Sequence, residues 1–311
     1  MIIGKFEIKP FVKWVGGKGR LLSQLECLLP DDFARKEEVR YIEPFVGGGA
    51  MLFFMLRNYS NVKSAVINDI NPDLMTCYSV VRDKPEELIR LLRIVQREYS
   101  SIGSTEEQKA FYLRERENFN NGGLDEIEKS ALFLFLNRTC FNGLYRVNKS
   151  GAFNVPFGRY VNPNICDEAL IMADSEALQG VEIMTGDFED TFEKACGDTF
   201  FYFDPPYRPL NATSCFNDYA KQGFGDGEQM RLKRFCDRVQ NAGYGFMLSN
   251  SDGLYSGKGD CFFDDLYKGY RIDRVMAPRN VNAVASKRGK ISEILVHNYL
   301  GTAGELMSKA I

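Results

Sequence analysis

The chain has 311 residues, of which 44% are hydrophobic and 26% charged, and its formal net charge is -3. That length suits two folding units or one elaborated α/β domain, and the composition excludes extensive disorder. Eight scattered cysteines without a C-x-x-C pair and a single histidine, His297, argue against a disulfide framework, a metal site and a histidine-activated nucleophile.

Met1 to Phe11 carries charges where a signal peptide needs an apolar stretch, so a cytoplasmic protein is expected. The first motif is Lys13-Trp14-Val15-Gly16-Gly17-Lys18. It is not a P-loop, because Gly19 stands where serine or threonine is required. The only tryptophan beside two lysines and two glycines fits a wall of a cofactor site, and equally a core aromatic beside a turn. Tyr41 to Phe45 is of β type and runs into Gly47-Gly48-Gly49, where backbone can approach a ligand closely. A dinucleotide fingerprint would need a third glycine where Leu52 stands, which weakens a pyrophosphate-binding reading. A second apolar run, Lys63 to Asn68, leads to Asp69, a carboxylate suited to ribose hydroxyls. Turn and carboxylate together describe a nucleoside crevice without a pyrophosphate clamp, which S-adenosylmethionine would suit. A packing turn plus a surface aspartate is the alternative at this point.

After Asn71 the strand–helix rhythm breaks. Pro85 to Tyr99 has an apolar face of helical period, and Glu128 to Leu136 reads as another helix, with turn-rich joints at Ser100 to Thr105 and Asn120 to Gly123. The run Ala131 to Leu136 is far short of the ~18 apolar residues a membrane span needs. Gly143 to Val147 and Ala152 to Phe157 then flank a four-residue loop, as in a hairpin. Asn137 to Tyr160 carries four cations and no acid, and Lys268 to Lys290 seven cations against Asp273. Between them, Pro163 to Asp198 has ten acids against Lys194. Charge alone favours two solvated loops, but a phosphate-binding footprint is the alternative. Residues 72–166 thus read as a helical and β-hairpin insertion, with residues 1–71 and 167–311 forming the α/β domain around it.

Beyond the insertion, strands are expected at Val181 to Met184, Thr199 to Phe203, Tyr244 to Leu248 and Ile291 to Val296. The strand Thr199 to Phe203 ends in Asp204-Pro205-Pro206-Tyr207. Ordinary Asp-Pro turn chemistry accounts for a strand end of this kind. The tetrapeptide also suits the activation of an aromatic exocyclic amine, whose lone pair is delocalised into its ring. Asp204 would accept one N–H and the Pro205 carbonyl the other, while proline at 206 supplies no competing donor. Tyr207 would stack on the base.

In this order, these blocks resemble the Dam/Dpn-type DNA adenine-N6 methyltransferases of the alpha arrangement. The resemblance rests on Lys13-Trp-x-Gly-Gly-Lys18, Glu43-Pro-Phe-x-Gly-x-Gly49, Asn68-Asp69, Asn142-Gly-Leu-x-Arg146, Asp204-Pro-Pro-Tyr207 and Arg288-Gly-Lys-Ile-Ser-Glu293. It implies a Rossmann-like methyltransferase sheet carrying an inserted target-recognition domain. It implies a pocket for S-adenosylmethionine lined by Trp14, Lys18, Asp69 and Asp204, with Gly47 and Gly49 in the turn and Asp187 reaching the cofactor adenine. Catalysis would fall to Asp204, Pro205 and Tyr207. For duplex DNA, Lys13, Leu144, Arg146 and Pro156 fall on positions that read a GATC site. Phe141 falls on a wedge that is often tyrosine in the family, and Asn142 where an amide meets the orphaned base.

The expected reaction is methyl transfer to a flipped-out adenine without a covalent enzyme intermediate or a metal. The expected setting is bacterial or phage-encoded, as a monomer or weak dimer, with a cognate restriction endonuclease as a possible partner. Rivals are a cytosine-N4 methyltransferase, for which serine would be expected at residue 204, an RNA methyltransferase, a catalytically silent DNA-binding module, and a nicotinamide-dependent oxidoreductase.

Overall fold

All five side chains of Thr199–Phe203 are buried, and a strand apolar on both faces belongs in the middle of a covered sheet. The computed structural model, which describes residues 7–208, 224–254, 259–278 and 290–299, places it there. The strands are β1 Val39–Glu43, β2 Val62–Asp69, β3 Val181–Thr185, β4 Thr199–Phe203, β5 Gly245–Ser251, β6 Arg271–Pro278 and β7 Lys290–His297. They form a mixed seven-stranded sheet in the order β3-β2-β1-β4-β5-β7-β6. β4 runs parallel to both neighbours, with Tyr41 opposite Phe200 on one side and Phe201 opposite Phe246 on the other. β7 then enters antiparallel between β5 and β6. The order reverses between β1 and β4, and ligands of open α/β sheets bind at the carboxyl ends of strands at such a point.

The expected α/β class therefore holds, and the expected strands appear within a few residues of their bounds. β6 is the strand that patterning missed. Its first four residues, Arg271-Ile-Asp-Arg274, read as part of a basic loop, yet they form an edge strand whose charges discourage further pairing. The single histidine is structural. Buried His297 on β7 places Nε2 2.8 Å from Asp273 Oδ2 on β6 and Nδ1 3.0 Å from the Tyr299 carbonyl. The rest of the basic stretch, residues 279–289 with Arg288, lies outside the described residues.

Two compact units divide the chain, one within Met1–Gly17, Val46–Asn58 and Ile67–Asp187, the other within Lys18–Phe45, Tyr59–Val66 and Phe188–Ile311. Helix α1 Leu22–Glu26 belongs to the second unit and α2 Ala50–Asn58 to the first, in which helices α3 Pro72–Asp83, α4 Pro85–Ser101 and α5 Thr105–Asn121 pack around α6 Glu126–Thr139. α6 is buried at every residue from Ser130 to Asn137, so it is the central helix rather than an amphipathic surface one. Its start is fixed by a capping box, Asp125 accepting from the Glu128 amide and Glu128 from the Asp125 amide. The expected hairpin is present in irregular form. Single bridges join Cys140 to Phe157 and Val147 to Phe153, and the Asn148 side chain accepts from the Ser150 and Ala152 amides to close the loop. α5 braces the return arm. Asn120 bonds both the amide and the carbonyl of Phe153, and the Tyr112 hydroxyl donates to the Val155 carbonyl at 2.7 Å.

Helix α7, Glu168–Leu178, buries one carboxylate without an ion-pair partner among the described residues. Asp174 accepts a 3.3 Å bond from the Lys9 amide on Oδ1, while Oδ2 has no donor among the described residues. Burial pushes its carboxyl up to about 8 from an ordinary 3.8. The folded state therefore binds this proton more tightly than the unfolded chain, and stability declines as pH rises from about 4 to about 8. Asp174→Asn keeps the acceptor for Lys9 and removes the decline. Urea unfolding is expected to show no gain for the variant at pH 4 and a gain of about 2–4 kcal/mol at pH 8.

Candidate functional site

Asp204 follows the last residue of β4 in the second unit and meets Ser249 of the adjacent β5. The Ser249 hydroxyl donates to Asp204 Oδ1 at 3.0 Å, and the Tyr202 hydroxyl lies 3.3 Å from the Ser249 oxygen. Buried Lys18 places Nζ 3.1 Å from the same Oδ1 and 3.2 Å from Glu293 Oε2 on β7. The Tyr207 hydroxyl bonds the Lys18 ammonium and donates to Glu293 at 2.7 Å, and Lys18 Nζ sits 4.2 Å from the Tyr207 ring centroid. Burial alone would lower the Lys18 ammonium, but the Asp204 and Glu293 carboxylates reverse this and raise it. Burial pushes the Asp204 carboxyl up, and the Lys18 charge holds it back. The two prolines are positioned as well, since the buried Gln229 side chain donates to the Pro206 carbonyl at 3.2 Å. The chain is thus stiff at Pro205 and Pro206 and anchored at Tyr207. A carboxylate, two prolines without an amide donor and an aromatic ring lie together at a strand end, a set that could hold an amine. The arrangement joins Lys18 to Asp204 and Tyr207.

In the first unit the glycine turn is locked from two sides. Asp69, at the end of β2, accepts from the Gly47 amide at 3.1 Å with Oδ2 and from the Asn71 amide at 2.9 Å with Oδ1. Burial raises its carboxyl, and these amides hold it back. Gly47 and Gly49 have φ of +48° and +74°, the left-handed region that glycine enters without strain. The Trp14 indole covers the turn so closely that a Cβ on Gly47 would lie 2.7 Å from its Cδ1. Asp187 follows Gly186, whose carbonyl accepts from the Asn68 side chain at 3.0 Å and whose amide reaches the Asp69 carbonyl at 3.3 Å. Trp14, Gly47, Gly49 and Asp69 thus come together, with Asp187 following Gly186 beside the end of β2, as an aromatic face and a carboxylate on a half-buried turn. That donor set fits a nucleoside.

The hairpin gathers the remaining candidates. Phe141 is 51% exposed although apolar, and its amide donates to the Pro156 carbonyl at 2.8 Å. Asn142 next to it has φ +56° and an exposed side chain. Arg146 is held by Asn154, whose side-chain oxygen accepts from Nε at 2.7 Å and whose carbonyl accepts from the other end of the guanidinium at 3.1 Å. The Lys13 ammonium lies 4.5 Å from the Tyr160 ring centroid; burial and then Arg138 lower its pKa.

Patterning gave no individual role to three residues that matter here. Ser249 lies just past the expected strand Tyr244 to Leu248, and Asn137 and Asn154 lie in the basic hairpin stretch, where spacing names no partner for either. Glu293 carried a signal, because it closes the Arg288-Gly-Lys-Ile-Ser-Glu293 block, but only the pairing of β7 with β5, with Glu293 opposite Ser251, gives it a partner. Among the described residues no cluster of three or more histidine, cysteine or acidic side chains is arranged to hold a metal ion, and no helix is long and apolar enough to cross a membrane.

Residues 14–281 match the family described as D12 class N6 adenine-specific DNA methyltransferase. A type II methyltransferase of Methanocaldococcus jannaschii, M.MjaIII, is 46% identical over 296 residues, 94% of this chain and 100% of the relative. M1.LlaDCHI, a type II methyltransferase of Lactococcus lactis subsp. cremoris, is 42% identical over 95% of this chain and 97% of its own length. The DNA adenine methylase of Vibrio cholerae is 31% identical over 92% of this chain and 95% of its own. These relatives bear out the resemblance read from the motifs and favour adenine over the cytosine and nicotinamide alternatives. The chain belongs to the D12 class of N6 adenine-specific DNA methyltransferases.

Proposed function

We propose that the chain transfers the methyl group of S-adenosylmethionine to N6 of an adenine flipped out of duplex DNA, within GATC. The observation that carries this reading is the end of β4, where Ser249 and Lys18 both engage Asp204 through Oδ1. The other oxygen is then oriented to accept an N–H of the amine, and the Pro205 carbonyl takes the second. Both contacts strengthen as the nitrogen becomes tetrahedral and positive, so they favour the transition state over the bound substrate. S-adenosylmethionine supplies a methyl group that its sulfonium makes electrophilic. Trp14, Gly47, Gly49, Asp69 and Asp187 would hold the nucleoside part of that donor, and Lys18 would balance the charge of Asp204. Tyr207 would stack on the base, its phenol fixed by Glu293.

Residues 72–166 would recognise the target, with Lys13 contributing from outside that segment. Lys13, Leu144, Arg146 and Pro156 would read the bases, Phe141 would wedge into the stack and Asn142 would meet the orphaned partner. The exposure of Phe141 and the pinning of Arg146 by Asn154 support this, because readout needs a guanidinium of fixed direction. Flipping costs a few kcal/mol, which the Asp204–Tyr207 pocket would offset. Two relatives are named type II methyltransferases, which supports service beside a restriction endonuclease. Methylation-aware sequencing of DNA from methylation-deficient cells expressing the chain tests the reading. N6-methyladenine confined to GATC is the expected result. A different motif would overturn the assigned site, and N4-methylcytosine alone would overturn the chemistry.

A further inference from the structure

Trp14 packs on Tyr145, which the chain joins directly to Leu144 and Arg146, all within the first unit. The Trp14 indole lies on Gly47 and Gly48 and stacks on Tyr145, with centroids 5.7 Å apart and planes at 23°. Tyr145 sits between Leu144 and Arg146. Its ring rests on Phe133 and Phe153, with centroids 5.7 and 5.6 Å away, and its hydroxyl donates to Asp73 Oδ2 at 2.9 Å. Asp73 is held in turn by Lys129, 2.5 Å away. The backbone is tied as firmly. Buried Asn137 accepts from the Lys13 amide and donates to the Lys13 carbonyl, each at 2.8 Å, and reaches the Gly143 carbonyl at 3.2 Å. Gly143 lies so near Lys13 that an added Cβ would come within 2.6 Å of the lysine Cβ.

Residues 13–14 and 143–146 are therefore one packed piece, and close-packed interiors transmit a displacement rather than absorb it. We infer that Tyr145 is a positioning residue for target recognition. Its ring couples the seating of Trp14 on the glycine turn to the placing of Leu144 and Arg146. This rests on the assignment of that turn to the methyl donor and of the hairpin to DNA. A ligand that fixes Trp14 then tightens DNA binding, and by linkage DNA tightens the binding of that ligand by the same factor. A Tyr145 that merely filled the core would change stability and leave this factor untouched.

The test uses the full chain, S-adenosylhomocysteine as a non-reacting probe and a short duplex with one GATC. In the wild type the probe is expected to tighten duplex binding at least about fivefold. In Tyr145→Leu that factor falls below about twofold, while the probe's Kd without DNA stays within about twofold of wild type. Tyr145→Phe keeps the stack and is expected to keep the factor. Trp14 is the only tryptophan, so its emission is a second readout, and adding duplex to the probe-free wild type is expected to change it. An unchanged factor in Tyr145→Leu overturns the inference. If Tyr145→Leu does not fold, the wild-type emission decides, and no change on adding duplex overturns it. A wild type that binds no S-adenosylhomocysteine would instead bring down the cofactor assignment.

Discussion

Asp204→Ala is expected to lower the rate of methyl transfer in a single turnover by about 10²–10³-fold, the usual cost of removing one preorganised partner of a developing charge. Duplex affinity should change less than about twofold, because no base-reading residue is touched. The bond of the carboxylate to the amine strengthens as nitrogen gains charge, so its removal falls mainly on the chemical step rather than on ground-state binding. Folding should survive, since Lys18 keeps Glu293 as an ion-pair partner and Ser249 keeps Tyr202. Rapid-quench measurement with labelled methyl donor separates the outcomes. Near-normal transfer would contradict the role given to Asp204, and a loss confined to duplex binding would move that residue from chemistry to recognition.

Gly49→Ala is the second large effect. A Cβ there would lie 2.5 Å from the Tyr78 hydroxyl and 3.3 Å from the Phe53 ring, at φ +74°. The left-handed conformation costs an alanine about 1–2 kcal/mol, and displacing Tyr78 breaks its 3.1 Å bond to the Gly47 carbonyl for about 1 kcal/mol more. Urea unfolding should therefore show a loss of about 2–3 kcal/mol. Gly243→Ala is the control. It has φ +84° just past the helix Asp226–Asn241, where the Gly243 and Tyr244 amides close the helix end on the Gln240 and Val239 carbonyls, with nothing within 4 Å of an added Cβ, so only the conformational part, about 1–2 kcal/mol, is expected. Equal losses at both positions would mean that close approach at Gly49 contributes nothing.

These effects come from two kinds of information. The strands around β4 and the core of α6 were visible because burial on both faces imposes continuous apolar runs, which composition shows directly. β6 was not, because an edge strand carries charges that look like a loop until its partner is known. Asp204, Tyr207, Trp14 and the glycine turn stood out in the chain because each motif combines residue types that ordinary packing seldom needs together. Glu293 did not acquire a role this way. Its meaning lies in a 2.7 Å bond to Tyr207, 86 residues away along the chain.

By itself the amino-acid order determined the α/β class, the tetrapeptide Asp204-Pro-Pro-Tyr207 at the end of a strand and the basic hairpin, since each is a local pattern of size, charge and backbone freedom. Only the tertiary structure decided that Lys18 pairs with Asp204 and Glu293, that Asn154 aims Arg146, and that Trp14 leans on Tyr145. Contacts of the last kind join residues far apart in the chain through distances of a few ångströms. Spacing along the chain cannot encode them, because many partners of the same chemical type are available to each group until folding selects one.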